Sequence, residues 1–173
     1  VLDVFEGSDS HLTFDDGTRR SANELADDGL RLATWLAEQG LGPGDRIPIR
    51  LPNGIEYLRL LLACAAGGFV AVSVNTRYSD VEAADLVERS GAQPVEIAGS
   101  HDGGPGPWTS AMPMDRVRRP KDPFVVFTTS GTTSRPKMVL QQQCSIADHA
   151  FDAAARFGYR SDDTVMAVMP LCR

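Results

Sequence analysis

Residues 128 to 139 read Thr-Thr-Ser-Gly-Thr-Thr-Ser-Arg-Pro-Lys-Met-Val. Four hydroxyl side chains, Thr129, Ser130, Thr132 and Thr133, surround Gly131, and Lys137 follows six positions after that glycine. Small hydroxyl residues let a ligand come close to the backbone and add hydrogen-bond donors of their own. A glycine opens unusual dihedrals, so that successive N–H groups can converge on one anion. The lysine adds a compact positive charge. Together these are the donors a polyphosphate needs. The Walker A loop, G-x-x-x-x-G-K-[ST], is the first pattern to test. Counted from Gly131, its second glycine falls on Pro136 and its magnesium-binding hydroxyl on Met138. A Walker-type phosphate transferase therefore fails at two fixed positions.

A bend that holds an anion must be carried by regular elements. Phe124 to Thr128 (Phe-Val-Val-Phe-Thr) reads as a buried strand that runs straight into it. Near the start, Asp15-Asp16-Gly17-Thr18 lies between Leu12-Thr13-Phe14 and Arg19-Arg20, which is a hairpin signal. Ser21 and Glu24 have capping-box spacing, Leu25, Leu32, Trp35 and Leu36 recur at helical period, and Gly40 is the stop. Gly29 inside that helix is a mild cost. A turn at Gly42-Pro43-Gly44-Asp45 leads to a strand over Ile47–Leu51. Pro48 in it cannot donate to a ladder, so an edge position or a bulge is expected. Ile55–Ala66 is an apolar helix and Phe69–Val74 a buried β-branched strand. Ser79 and Glu82 open a helix that ends near Gly91, and Pro94–Ala98 reads as another strand. The order β-α-β-α-β from Asp45 to Ala98 predicts an α/β fold, a parallel sheet flanked by helices. Gly99–Pro107 is a Gly/Pro-rich loop, Asp115–Asp122 a charged linker, and Ser145–Phe157 a helix.

Composition narrows the function. The 173 residues hold 17 Lys and Arg against 23 Asp and Glu, a net charge of −6. That argues against nucleic-acid partners and a polybasic membrane anchor, both of which need clustered cations. The apolar central stretch Leu60–Val74 has 15 residues and carries no charge. A membrane span needs about 20. Cys64, Cys144 and Cys172 form no C-x-x-C pair, which points away from zinc and disulfides and toward a reducing, cytoplasmic compartment. His11, His101 and His149 are isolated and receive no role, and Trp35 and Trp108 are read as packing residues.

The bend Ser130-Gly131-Thr132-Thr133-x-x-Pro136-Lys137 resembles the phosphate-binding loop of the adenylate-forming enzymes. These are the AMP-dependent acyl-CoA synthetases, related carboxylate ligases and adenylation domains, in which the loop reads roughly [ST]-S-G-[ST]-T-G-x-P-K-G. The chain departs at Ser134 and Met138, and Gln141 to Gln143 stand where members often carry a histidine. Supporting segments occur in the family's order: Gly42 to Arg46, Leu51-Pro52-Asn53, Val74-Asn75-Thr76-Arg77-Tyr78, Asp162 to Val165 and Met169-Pro170-Leu171.

The resemblance implies that residues 1–173 are the first part of the family's large N-terminal domain. The later subdomains and the C-terminal domain, with its catalytic lysine, have no counterpart. No catalytic residue is then expected within this chain. Thr129, Ser130, Gly131, Thr132, Thr133 and Lys137 would bind the β- and γ-phosphates of ATP, with Mg2+ bridging phosphate oxygens. The complete enzyme would join ATP and a carboxylic acid into an acyl-adenylate and then a thioester, with coenzyme A as acceptor. The isolated chain would be inactive, with its cut sheet edge open to self-association. The alternative is a short non-catalytic protein of the same fold that binds a nucleotide or a partner.

Overall fold

Both capping boxes form. Ser21 Oγ accepts the Glu24 N–H while Glu24 accepts the Ser21 N–H at 2.7 Å. Ser79 and Glu82 repeat the exchange. The computed structural model describes residues 10–95, 106–115, 120–129, 136–167 and 169–171. The chain opens with a hairpin of β1 (His11–Thr13) and β2 (Arg19–Ser21), followed by α1 (Ala22–Glu38), β3 (Arg46–Ile49), α2 (Ile55–Gly67), β4 (Val70–Ser73) and α3 (Asp80–Ser90). A 3-10 turn (Pro107–Ser110), β5 (Pro123–Thr129), β6 (Lys137–Gln142) and α4 (Gln143–Phe157) complete it. Gly68 and Gly91 end α2 and α3 at φ 73° and 66°, left-handed positions that favour glycine.

The main sheet has the order β3-β4-β5-β6. β3, β4 and β5 run parallel, as expected, but β6 is antiparallel to β5 and the sheet is mixed. The reason is loop length. A connection as short as 130–136 can only return the chain antiparallel, because a parallel crossover needs about a dozen residues or more. β6 has little pattern to announce it, since Met138, Val139 and Leu140 are consecutive and all exposed. Pro48 does sit on an edge strand, β3. The strand expected over Pro94–Ala98 does not appear at Pro94 and Val95, and 96–98 lie outside the described residues. Gln93 N–H donates to the Arg46 carbonyl at 2.9 Å, and Pro94 then has no N–H to continue a ladder. The second parallel neighbour of β4 is therefore β5. The Gly/Pro-rich stretch is described only from Gly106.

Helices cover both faces of the sheet, as predicted. Val70 and Val72 of β4, with Val74 just past it, join Ala83 and Leu86 of α3 and Val126 of β5 in one cluster. Ala71 joins Val125, Ile47 and Ile49 and the α1–α2 pair in the other. Leu25, Leu32 and Leu36 of α1 are fully buried against α2, with Trp35 half-buried at the margin. Gly29 lies where the two helices cross. A Cβ there would stand 2.6 Å from Leu62 Cβ, so the mild cost read from the sequence serves close packing. Arg59, only 5% exposed, fixes the same pair of helices through Asp28 at 2.7 Å and Glu56 at 2.6 Å. Trp108 is buried in this core, as expected.

Past β5 the protein is thinly covered. Among the described side chains of α4 only Gln143 is buried, and Phe151 and Phe157 are 62% and 70% exposed. With Met138, Val139 and Leu140 they leave apolar surface beside the edge of β6 that is unpaired among the described residues. Among the described residues, no helix is long and apolar enough to cross a membrane.

Candidate functional site

The hydroxyl-rich bend is the connection between β5 and β6. Register pairs Thr129 with Lys137, Thr128 with Met138 and Phe127 with Val139. Thr129 and Lys137 therefore face each other across the base of the turn, both exposed. Directly opposed residues project to the same side, so hydroxyl and ammonium flank one space. Lys137 is in no ion pair among the described residues. The turn follows the carboxyl end of β5. In open α/β sheets, ligands bind outside the carboxyl ends of the strands. Ser130, Gly131, Thr132 and Thr133 lie outside the described residues.

Two contacts hold the base of the turn from the α3 side. Tyr78 OH and Thr128 Oγ1 share a hydrogen bond of 3.1 Å. Arg89 Nη1 donates to the Pro136 carbonyl at 3.4 Å while its Nε pairs with Asp85 at 2.8 Å. A cleft of about 230 Å³ between them is lined by Tyr78, Val81, Asp85, Leu86, Arg89 and Pro136. The sequence pointed to Tyr78 only as part of Val74–Tyr78, and Arg89 had no signal beyond its place in a helix.

The opposite side of the same sheet end is closed by the last described residues. Asn53 Nδ2 donates to the Met169 carbonyl at 2.8 Å, and its Oδ1 accepts the Leu171 N–H at 2.8 Å. Tyr57 OH donates to the Leu171 carbonyl at 3.1 Å and lies 2.8 Å from Ser73 Oγ. Gln143, in the stretch where members of the resembled family often carry a histidine, is buried and donates from Nε2 to the Ala65 carbonyl at 2.9 Å. It caps α2 rather than facing the turn. Burial pushes the Cys64 thiol up to about 12, so it is no nucleophile near neutral pH. Among the described residues no group of three or more His, Cys, Asp or Glu could hold a metal ion. What the base of the turn can do is bind and neutralise an anion.

Comparison with known proteins identifies the family of the chain. The model of the AMP-binding enzyme family matches residues 5–105. The chain belongs to that family. Among curated relatives of this chain is the long-chain-fatty-acid–CoA ligase FadD13 of Mycobacterium tuberculosis. It is 27% identical over 189 residues, covering 89% of this chain and 35% of the ligase. The 2-succinylbenzoate–CoA ligase of Bacillus pumilus is 29% identical over 167 residues, covering 86% and 33%. The chain thus spans about a third of the length of these ligases. Similar solved structures include the N-terminal domain of FACL13 from Mycobacterium tuberculosis, with TM-score 0.77 and 24% identity over 91% of this chain and 46% of that one. Bacillus subtilis o-succinylbenzoate CoA synthetase, in complex with its acyl-adenylate, gives TM-score 0.82 and 22% identity over 99% and 38%. The α/β architecture of this chain is that of adenylate-forming N-terminal domains.

Proposed function

We propose that residues 1–173 are the first part of the large N-terminal domain of an ATP-dependent ligase that activates a carboxylic acid. A carboxylate attacks the α-phosphate of ATP, giving an acyl-adenylate and pyrophosphate, and a thiol then displaces AMP. Coenzyme A is the proposed acceptor and the cytoplasm the proposed compartment. The observation that carries this reading is the exposed, opposed pair Thr129 and Lys137 at the base of a hydroxyl-rich turn beyond the carboxyl end of β5. On this reading Thr129, Ser130, Thr132 and Thr133 donate to the β- and γ-phosphates and the Gly131 backbone folds around them. Lys137 offsets charge on the departing pyrophosphate. The turn offers hydroxyls and an ammonium but no carboxylate, so Mg2+ would be carried by phosphate oxygens. The chain alone performs no adenylation and has no catalytic residue of its own. The apolar face of β6 and α4 supports association with a second copy.

The test is a titration of the 173-residue chain with MgATP and with inorganic tripolyphosphate, followed by NMR. Both should saturate in the millimolar range with similar affinity, because the proposed contacts are to phosphate alone. Lys137→Ala should weaken both together. Absence of saturation with either probe, or equal binding by Lys137→Ala, refutes the reading.

A further inference from the structure

We infer that α3 and the residues just before it position the two strand ends that carry Thr129 and Lys137, Tyr78 holding one end and Arg89 the other. The inference rests on the polyphosphate reading above and assigns a role to residues outside the binding set.

The end of the β5–β6 ladder needs such support. Among the described residues β6 is an edge strand, and Thr129–Lys137 is the last pair of its ladder. Terminal pairs of an edge hairpin open readily, because one side has no neighbour. An anion held between Thr129 and Lys137 would have to order that end each time it bound. α3 removes the need. It lies firmly on the sheet through Ala83 and Leu86, packed with Val70, Val72 and Val126, and its first turn is capped by Ser79.

The residues before it make a rigid bracket. Asn75 Oδ1 accepts the Arg77 N–H at 2.9 Å, and the Asn75 carbonyl accepts the Tyr78 N–H at 3.0 Å. Arg50, just past β3, donates to the Tyr78 carbonyl and pairs with Asp80 at 2.7 Å. The Tyr78 ring is thereby held against β5, where its hydroxyl meets Thr128, the residue just before Thr129. At the far end of α3, Arg89 is steadied by Asp85 and reaches the carbonyl of Pro136, the residue just before Lys137. The segment Tyr78–Arg89 thus holds both stems, each one residue from a proposed ligand. The Asn75–Tyr78 segment, singled out in the sequence but given no task, acquires one. Tyr78 and Arg89 act through Thr129 and Lys137 and need not touch the anion.

The experiment uses the full 173-residue chain and inorganic tripolyphosphate as probe. Tyr78→Phe and Thr128→Val each delete one partner of the same bond and keep the shape. Each should weaken tripolyphosphate binding about three- to tenfold. The double variant should be no weaker than either single one, and the thermal midpoint should move by no more than about 2–4 °C. Arg89→Lys keeps a cation beside Asp85 but loses the second nitrogen, and should weaken binding independently of Tyr78→Phe. Should Tyr78→Phe fail to fold, Thr128→Val carries the same test. If Tyr78→Phe and Thr128→Val bind like the unmodified chain while Lys137→Ala does not, the inference is overturned and the polyphosphate reading stands. If the unmodified chain never saturates, both fall together.

Discussion

Replacing Gly29 by alanine sets two physical effects against each other. Helix propensity favours alanine over glycine by about 1 kcal/mol in a helix interior. Packing opposes it. The new Cβ would lie 2.6 Å from Leu62 Cβ, 3.2 Å from the Leu62 carbonyl carbon and 3.3 Å from the Ala63 nitrogen. Carbon atoms in contact prefer about 3.5–4.0 Å, so the shortfall is roughly 1 Å. None of the three atoms can swing away, since one is a Cβ and two are main chain. α1 must instead shift from α2 along a face that carries Leu25, Leu32 and Leu36. Overpacking of this kind costs about 1–3 kcal/mol, and the rigid neighbours place Gly29 near the upper figure. After the propensity gain, Gly29→Ala should be less stable by about 2 kcal/mol, a midpoint lower by about 4–8 °C. Urea unfolding followed by tryptophan fluorescence measures it, because Trp108 is buried in the same core. A Gly29→Ala chain as stable as the original, or more so, would refute the close crossing of α1 and α2.

Two further outcomes follow from the caps and the open edge. Hydrogen bonds from the backbone and hydroxyl of Ser21 and of Ser79 hold Glu24 and Glu82 below the ordinary 4.5. The folded chain therefore binds fewer protons near pH 4.5 than the unfolded one. Their contribution is complete above that pH and is lost as pH falls through the lowered folded values. Urea midpoints should be steady from these groups between pH 7 and 5 and drop below about pH 4.5, and Ser21→Ala with Ser79→Ala should flatten the drop. A midpoint that rose on acidification would contradict this. Sedimentation velocity across a wide concentration range should show concentration-dependent dimer, which Leu140→Lys on the β6 edge shifts back to monomer. A monomer at every concentration would exclude association through that edge.

Much of this architecture could be read before the structure. Ser21 with Glu24 and Ser79 with Glu82 set both helix starts, because a cap is a local exchange of two hydrogen bonds. The β-branched run at Val70–Val74 announced a buried strand for an equally local reason. What escaped depended on partners far along the chain. β6 was invisible because its apolar residues face no core, and its direction follows only from the shortness of the turn before it. Pro94 looked like the start of a strand, yet a proline has no N–H to offer the β3 edge. The six proposed ligands were legible as chemistry, and four of them lie outside the described residues. The supports at Tyr78 and Arg89 were not legible, since their bonds to Thr128 and Pro136 span 50 and 47 positions. Gln143 makes the same point, since only the fold reveals its bond to Ala65.

The clasp that Asn53 and Tyr57 place on the last described residues has a consequence for synthesis. Asn53 meets Met169 and Leu171 across 116 and 118 positions of chain. Closing a loop of that length costs about 4 kcal/mol in chain entropy beyond the constant term. A polypeptide leaving the ribosome can therefore assemble β3, α2 and β4 early, while the Asn53 amide stays bound to water until residue 171 has cleared the exit tunnel. The Asn53 clasp is therefore made after β3, α2 and β4 have formed.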